Sequence, residues 1–383
     1  MKFNFFHLAP YPYLPEDWED HHETMSLDFP NGNFDPEVGH GLYHRYLDEL
    51  EYAESVGFDG IAVNEHHQTA YGIMPSPNIM AAALARRTSK AKIMVLGNAI
   101  PIRGNPLRVA EEIAMLDHLT DGRLVSGFVR GIGWEYFAHS ISPTRSRSRF
   151  DEAHDLIIKA WTSTEPFQWI GENYEYRYVN IWPRPLQQPH PPIVMAGAGS
   201  LETMRWCAKH RHTFMAVISR TETIKAWFDG FREYAAQEGY EPDPEQLGWV
   251  APVYVGETDK KAIEEARGPI EWYFKKSLRQ PPGAGLPPGY MSTESLRTAL
   301  TKGRIPNFDL SIEELIAGGY IIVGSPSTVA ERIHALQETL GFGQLGANIP
   351  VGTVSQQQTR ESTDAFAKEV IPLFREKTAP VTT

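Results

Sequence analysis

Gly60-Ile61-Ala62-Val63-Asn64-Glu65-His66-His67 is a short apolar run that ends abruptly in a carboxylate and two adjacent imidazoles. A run of this shape reads as a buried strand whose last residues leave the core for a place where titratable groups can do chemistry. On its N-terminal side, Tyr43, Tyr46, Leu47, Leu50 and Ala53 share one helical face, with Gly57 as the stop. On its C-terminal side, Ser76-Pro77 gives an N-cap and first-turn proline for a helix to Arg87, and Asn105-Pro106 repeats the device ahead of Val109, Ile113 and Leu116.

Strand and helix patterns alternate along the rest of the chain. Strands are expected at 2–8, 60–67, 92–99, 123–129, 193–196, 213–219, 248–255 and 344–350, each followed sooner or later by an amphipathic helix. Such alternation calls for a parallel sheet with right-handed crossovers, and eight units close most economically as a barrel ringed by helices. The expected fold is therefore α/β, a (β/α)8 TIM barrel, with residues 1–383 forming one domain. Proline-rich insertions are expected at about 9–40, 163–190 and 280–307, after strands 1, 4 and 7, the second with a small hairpin around Gly171-Glu172-Asn173. An open doubly wound sheet is the alternative, but it normally carries a glycine-rich turn after its first strand, and Ala9 to Leu14 holds no glycine.

Composition narrows the function. The 383 residues are 42% apolar, enough for a large core, and carry a formal charge of −12. With no basic block, neither nucleic acid nor an anionic membrane surface is an expected partner. No spanning apolar run or signal-type segment is evident, so the chain is expected in the cytoplasm. The single cysteine, Cys207, excludes an internal disulfide and reads as a small core residue on a helix. No metal is expected: His21-His22-Glu23 reads as a solvated loop, and there is no helical His-Glu-x-x-His pattern. A Gly-x-Ser-x-Gly elbow is missing too, which disfavours a serine hydrolase.

Barrel enzymes build their sites at the C-terminal strand ends. Here those ends carry His7, Asn64, Glu65, His66, His67, Asn98, Arg130 and the turn Gly197-Ala198-Gly199-Ser200, all expected at one mouth. The turn sits between a strand and a helix, where free amides suit phosphate; a tight turn capped by Ser200 is an equal reading. Arg130 favours the anion, since a guanidinium at a neighbouring strand end can hold phosphate, although a rim salt bridge is its plainer role. Tyr136 offers either a hydroxyl contact or packing beneath the loop. Neighbouring side chains on an extended segment point opposite ways, so His66 is taken as the chemical residue and His67 as structural, with Glu65 orienting His66 or bonding the mouth backbone.

Together, Glu65-His66-His67, Leu96-Gly97-Asn98-Ala99-Ile100, Asn105-Pro106-Leu107-Arg108-Val109-Ala110-Glu111-Glu112, the run Leu116 to Leu124 and Arg130-Gly131 resemble the bacterial luciferase-like, flavin-dependent monooxygenases. Arg149-Phe150-Asp151-Glu152-Ala153, Pro191-Pro192-Ile193 and Gly324-Ser325-Pro326-Ser327-Thr328-Val329-Ala330 extend the resemblance over nearly the whole chain. It implies a homodimer or higher oligomer using reduced FMN (FMNH2) from a separate flavin reductase. Dioxygen would add to the flavin as a C4a-peroxide that oxygenates a small or medium organic molecule. By the same resemblance His66 matches the histidine of the oxygen chemistry, Arg130 the arginine near the FMN phosphate, and Gly197, Ala198, Gly199 and Ser200 the phosphate turn. Asn98 lies where a strand end meets the isoalloxazine. The long first loop and the 280–307 segment depart from the family pattern, so substrate identity is not carried over. Two other functions are kept: an oxidoreductase using the deazaflavin F420, and a non-catalytic flavin-binding protein.

Overall fold

The computed structural model describes residues 1–198, 200–295, 297 and 308–375. Its eight barrel strands are β1 (Lys2–Phe6), β2 (Gly60–Val63), β3 (Lys92–Val95), β4 (Leu124–Val129), β5 (Ile193–Gly197), β6 (Thr213–Val217), β7 (Leu247–Val255) and β8 (Gln344–Asn348). Each pairs in parallel with the next, and β8 returns to β1 with Lys2 opposite Gln344 and Phe5 opposite Ala347. The circuit is sequential and closed, as expected of a (β/α)8 barrel, and an open sheet is excluded.

The outer ring is made by α1 (Pro36–Ser55), α2 (Pro77–Arg87), α3 (Pro106–Leu119), α4 (Ser146–Thr162), α5 (Leu201–His210), α6 (Thr221–Gln237), α7 (Asp259–Trp272), α8 (Pro326–Leu340) and α9 (Gln356–Ala365). Successive strand side chains face opposite ways. Phe3, Phe5, Ile61, Val63, Ile93 and Val95 pack outward under the helices. Ala62, Met94, Val194, Met215 and Val250 fill the barrel interior.

Local starts and stops follow the chemistry of the termini. Asn105 Oδ1 accepts the Leu107 amide at 3.0 Å, and Gly341 ends α8 in the left-handed conformation that glycine adopts without a Cβ clash. Ser76 occupies the N-cap position of α2 but makes no side-chain capping bond there. The first helix starts earlier than the pattern suggests: Asp35 Oδ1 accepts the amides of Glu37 and Val38, and Pro36 opens α1 within the segment expected as loop.

The remainder of the first insertion folds over the barrel. Trp18 and Met25 are buried with Leu8, Tyr71, Trp134 and Tyr273 in one apolar cluster. Arg279 Nε and Nη1 fasten this loop by donating to the Glu23 carbonyl and to Glu19. The second insertion holds the expected hairpin, Phe167–Ile170 against Glu175–Val179. Of the third, 296 and 298–307 lie outside the described residues. No helix among the described residues is long and apolar enough to cross a membrane.

Candidate active site

Past Val63 the chain leaves the barrel as Asn64-Glu65-His66-His67, and the two imidazoles diverge to different partners. His67 Nε2 lies 2.7 Å from Glu65 Oε1, while Glu65 Oε2 accepts Arg103 Nη2 at 2.7 Å and the Ala99 amide at 3.3 Å. Glu65 therefore bonds the mouth backbone but orients His67 and not His66. Burial pushes its carboxyl up, yet the hydrogen bond from His67 and the Arg103 guanidinium outweigh burial and hold it below the usual range.

His66 is held from another element. The loop after β4 turns at Gly131 into the short helix Gly133–Ala138, where Glu135 Oε2 accepts the Ile132 amide at 2.6 Å. Glu135 Oε1 accepts the His67 amide at 3.3 Å and faces His66 Nδ1 at 3.4 Å. The other edge of the His66 ring meets Tyr71, with centroids 4.7 Å apart. Burial pushes the Tyr71 phenol up to about 12, so it stays protonated against the Tyr273 hydroxyl at 3.5 Å. His66 thus sits between a carboxylate anchored by two backbone amides and the apolar cluster that includes Trp18 and Trp134.

A second group of residues gathers around Arg130. Its Nη1 donates to Ser146 Oγ at 3.3 Å and to the Tyr290 carbonyl at 2.9 Å, with the Tyr290 ring 4.3 Å away. Tyr136 is fully buried, and its hydroxyl donates to the Arg130 carbonyl, so it props the loop from behind. Arg147 reaches the phosphate-type turn: its Nη2 lies 3.5 Å from both Ser200 Oγ and Thr203 Oγ1, and its buried Nη1 has no partner. Burial, and then the charge of Arg130, lower the Arg147 pKa from its ordinary value. Ser200 is both cap and wall here, because its Oγ also accepts the Thr203 amide at the start of α5. Gly197 ends β5 and Ala198 is exposed beside it, while Gly199 lies outside the described residues.

Buried polar atoms at the strand ends also lack a protein partner. Asn98 is fully buried beyond β3 with neither Oδ1 nor Nδ2 bonded, and Asn64 Oδ1 and Asn348 Oδ1 are likewise unpartnered at the ends of β2 and β8. Buried donors and acceptors left unpaired cost about 1–3 kcal/mol each. A bound polar ligand would satisfy Asn98, and a bound anion would satisfy Arg147 Nη1.

His7 does not join the mouth. It shares the parity of Phe3 and Phe5, so it faces α1, with Nε2 2.9 Å from Glu49 Oε2 and Nδ1 accepting the Ala9 amide. Burial lowers its pKa, leaving it a neutral structural link. Cys207 is fully buried with its thiol pushed up by burial, as a core residue is. Three functional candidates were not evident in the sequence: Glu135, Arg147 and Arg103. Glu135 immediately precedes Tyr136 in the segment after the fourth strand, and Arg147 lies in the run Arg145-Ser146-Arg147-Ser148-Arg149, whose alternation was the available signal.

Fold and site together define a (β/α)8 barrel protein with its candidate ligand site at the C-terminal mouth. The chain belongs to the luciferase-like monooxygenase family, whose model matches residues 29–342. It is 24% identical over 338 residues to the 4-hydroxyprotoasukamycin monooxygenase of Streptomyces nodosus subsp. asukaensis, covering 86% of each chain. Among solved structures, it resembles the oxygenating constituent of 3,6-diketocamphane monooxygenase from Pseudomonas putida, a type II Baeyer-Villiger enzyme in complex with FMN. That likeness has a TM-score of 0.76 at 23% identity, covering 97% of this chain and 98% of that one. An F420-dependent secondary alcohol dehydrogenase in complex with an F420-acetone adduct shares the fold at TM-score 0.67 and 17% identity, with 98% and 99% coverage.

Proposed function

We propose that this protein is a flavin-dependent monooxygenase that uses reduced FMN and dioxygen to oxygenate a small or medium organic substrate. The observation that carries the proposal is the incomplete anion cradle, where Arg147 has a buried, unpartnered Nη1, feels the charge of Arg130 and places its Nη2 3.5 Å from Ser200 Oγ. Arg130, Arg147, Ser200 and the Gly197–Ala198 backbone would hold the phosphate, and Asn98 would bond the ring. Bound reduced FMN would supply the activation of dioxygen. In the His66 tautomer with a proton on Nδ1 directed to Glu135, Nε2 is the atom that takes up or returns a proton. The cluster of Trp18, Met25, Tyr71, Trp134 and Tyr273 supports a largely apolar substrate and a site that excludes water.

In this reading a separate flavin reductase in the cytoplasm delivers the reduced flavin. The protein would act as a homodimer, a state supported by Ile79 and Met115, which stay 70% and 53% exposed on the neighbouring helices α2 and α3. The test is to mix the protein with reduced FMN without oxygen and then admit air while recording absorbance. Binding followed by an oxygen-dependent spectral intermediate is expected; no flavin binding would refute the proposal. Because the barrel is shared with an F420-dependent dehydrogenase, the same titration with reduced F420 decides the cofactor. Tighter binding of F420 would replace FMN in the assignment.

A further inference from the structure

Three histidines far apart in sequence meet away from the mouth. His154 lies within α4, His210 is the last residue of α5, and His212 immediately precedes β6, so the cluster sits at the N-terminal end of that strand. One ring nitrogen from each lies within 4.8 Å of the others. We propose that His154, His210 and His212 bind one divalent transition-metal ion of the zinc class, as a structural link between α4, α5 and the start of β6.

The geometry is close to what such an ion needs. Zinc-nitrogen distances of about 2.0–2.1 Å in a tetrahedral site place ligand nitrogens about 3.3 Å apart. His154 Nε2 and His212 Nε2 are already 3.1 Å apart. His210 is the least buried of the three, and its nitrogen is within 4.8 Å of the other two. Its partial exposure also leaves a route for the ion and for a water in the fourth position. His154 Nδ1 lies 3.0 Å from Asp155 Oδ1, an arrangement that places the proton on Nδ1 and the lone pair on Nε2.

A plain hydrogen bond accounts for the His154–His212 pair but not for the third ring. His210 stacks on His212 at 5.5 Å and meets His154 edge-on at 4.7 Å. Trp206 closes the cluster, with its ring centroid 4.7–5.1 Å from all three imidazoles. Burial holds His210 down to about 4 and His212 down to about 2, so near neutral pH both present the unprotonated ring that binds metal. A stabilising device at this end fits barrel architecture, where the N-terminal face serves stability and the opposite face serves chemistry.

The test uses the full chain without an affinity tag, stripped with a chelator and titrated with zinc(II) by calorimetry and with cobalt(II) by visible absorbance. One zinc per chain, an intense tetrahedral cobalt band and a zinc-dependent rise in Tm are expected. His210→Ala and, independently, His212→Gln should abolish all three, and Asp155→Asn should weaken zinc binding about 10–100-fold. Far-UV circular dichroism of each metal-free variant verifies folding, and His210→Ala carries the test if His212→Gln does not fold. The exposed pair His40 and His44, four residues apart on α1 with rings 4.6 Å apart, is the competing site. Absence of stoichiometric zinc binding, or binding that survives His210→Ala and is lost in His40→Ala, would overturn the proposal.

Discussion

Replacing Arg147 by methionine should move stability and cofactor affinity in different directions. The guanidinium is buried beside a second arginine, one of its nitrogens has no partner, and its nearest counter-charges, Asp151 and Glu202, only partly offset the burial that lowers its pKa. In the flavin-free protein it is an under-compensated buried charge, so an apolar side chain of similar volume removes a burial cost and the flavin-free variant should melt no lower than the parent. In the complex the same group would donate to phosphate, where a charge-assisted hydrogen bond contributes about 1.5–3 kcal/mol. Its loss then raises the Kd for FMN about 10–150-fold. Fluorescence titration of FMN and thermal melts of the flavin-free protein measure the two quantities on one preparation. Arg147→Lys, which keeps the charge without the planar fork, should fall between them in affinity. Unchanged FMN affinity, or a flavin-free variant that melts well below the parent, would refute the assignment of Arg147 to the phosphate.

Glu135→Gln should leave FMN affinity intact while lowering turnover at least about tenfold and shifting the acid limb of the kcat profile, because it removes the carboxylate facing His66 Nδ1. Glu65→Leu should destabilise the fold by about 3–5 kcal/mol, read from urea unfolding, since it strands Arg103 and His67. Glu65 also has a pH signature: its folded pKa is depressed, so its contribution is complete above the unfolded carboxyl value of about 4.3 and is lost as pH falls through the folded value. The stability gap between the parent and Glu65→Gln should therefore narrow on acidification below that range. Gly127→Ala should yield insoluble protein or lose about 3 kcal/mol or more, because its Cβ would stand 1.8 Å from the Val95 carbonyl oxygen.

These predictions divide between features legible in the sequence and features that only closure of the barrel creates. Strand and helix identities were legible because period and punctuation are local: Asn105-Pro106 and Gly341 mark helix ends, and every expected strand matches a barrel strand. Parity at the first strand was not, because Phe3, Phe5 and Phe6 are apolar on both faces, so nothing local assigns His7 to the helix layer instead of the mouth. Its apparent membership in the site came from position alone, and its partner, Glu49, is 42 residues away. The divergence of His66 and His67 was legible from the geometry of an extended chain, yet the identity of the His66 partner was not. Glu135 is 69 residues on and meets His66 only because β2 and β4 flank β3 in the circuit and the loop after β4 folds back across it. The same holds for the histidine cluster, whose members stand 58 and 2 positions from His212 and are inconspicuous singly. Side chains that complete each other across strands carry no spacing signal, so the candidate site was legible as a set of strand ends and not as a set of pairs. Glu135, Arg147 and the unpartnered Asn98 are accordingly the positions where substitution separates a flavin enzyme from a barrel that merely shares its outline.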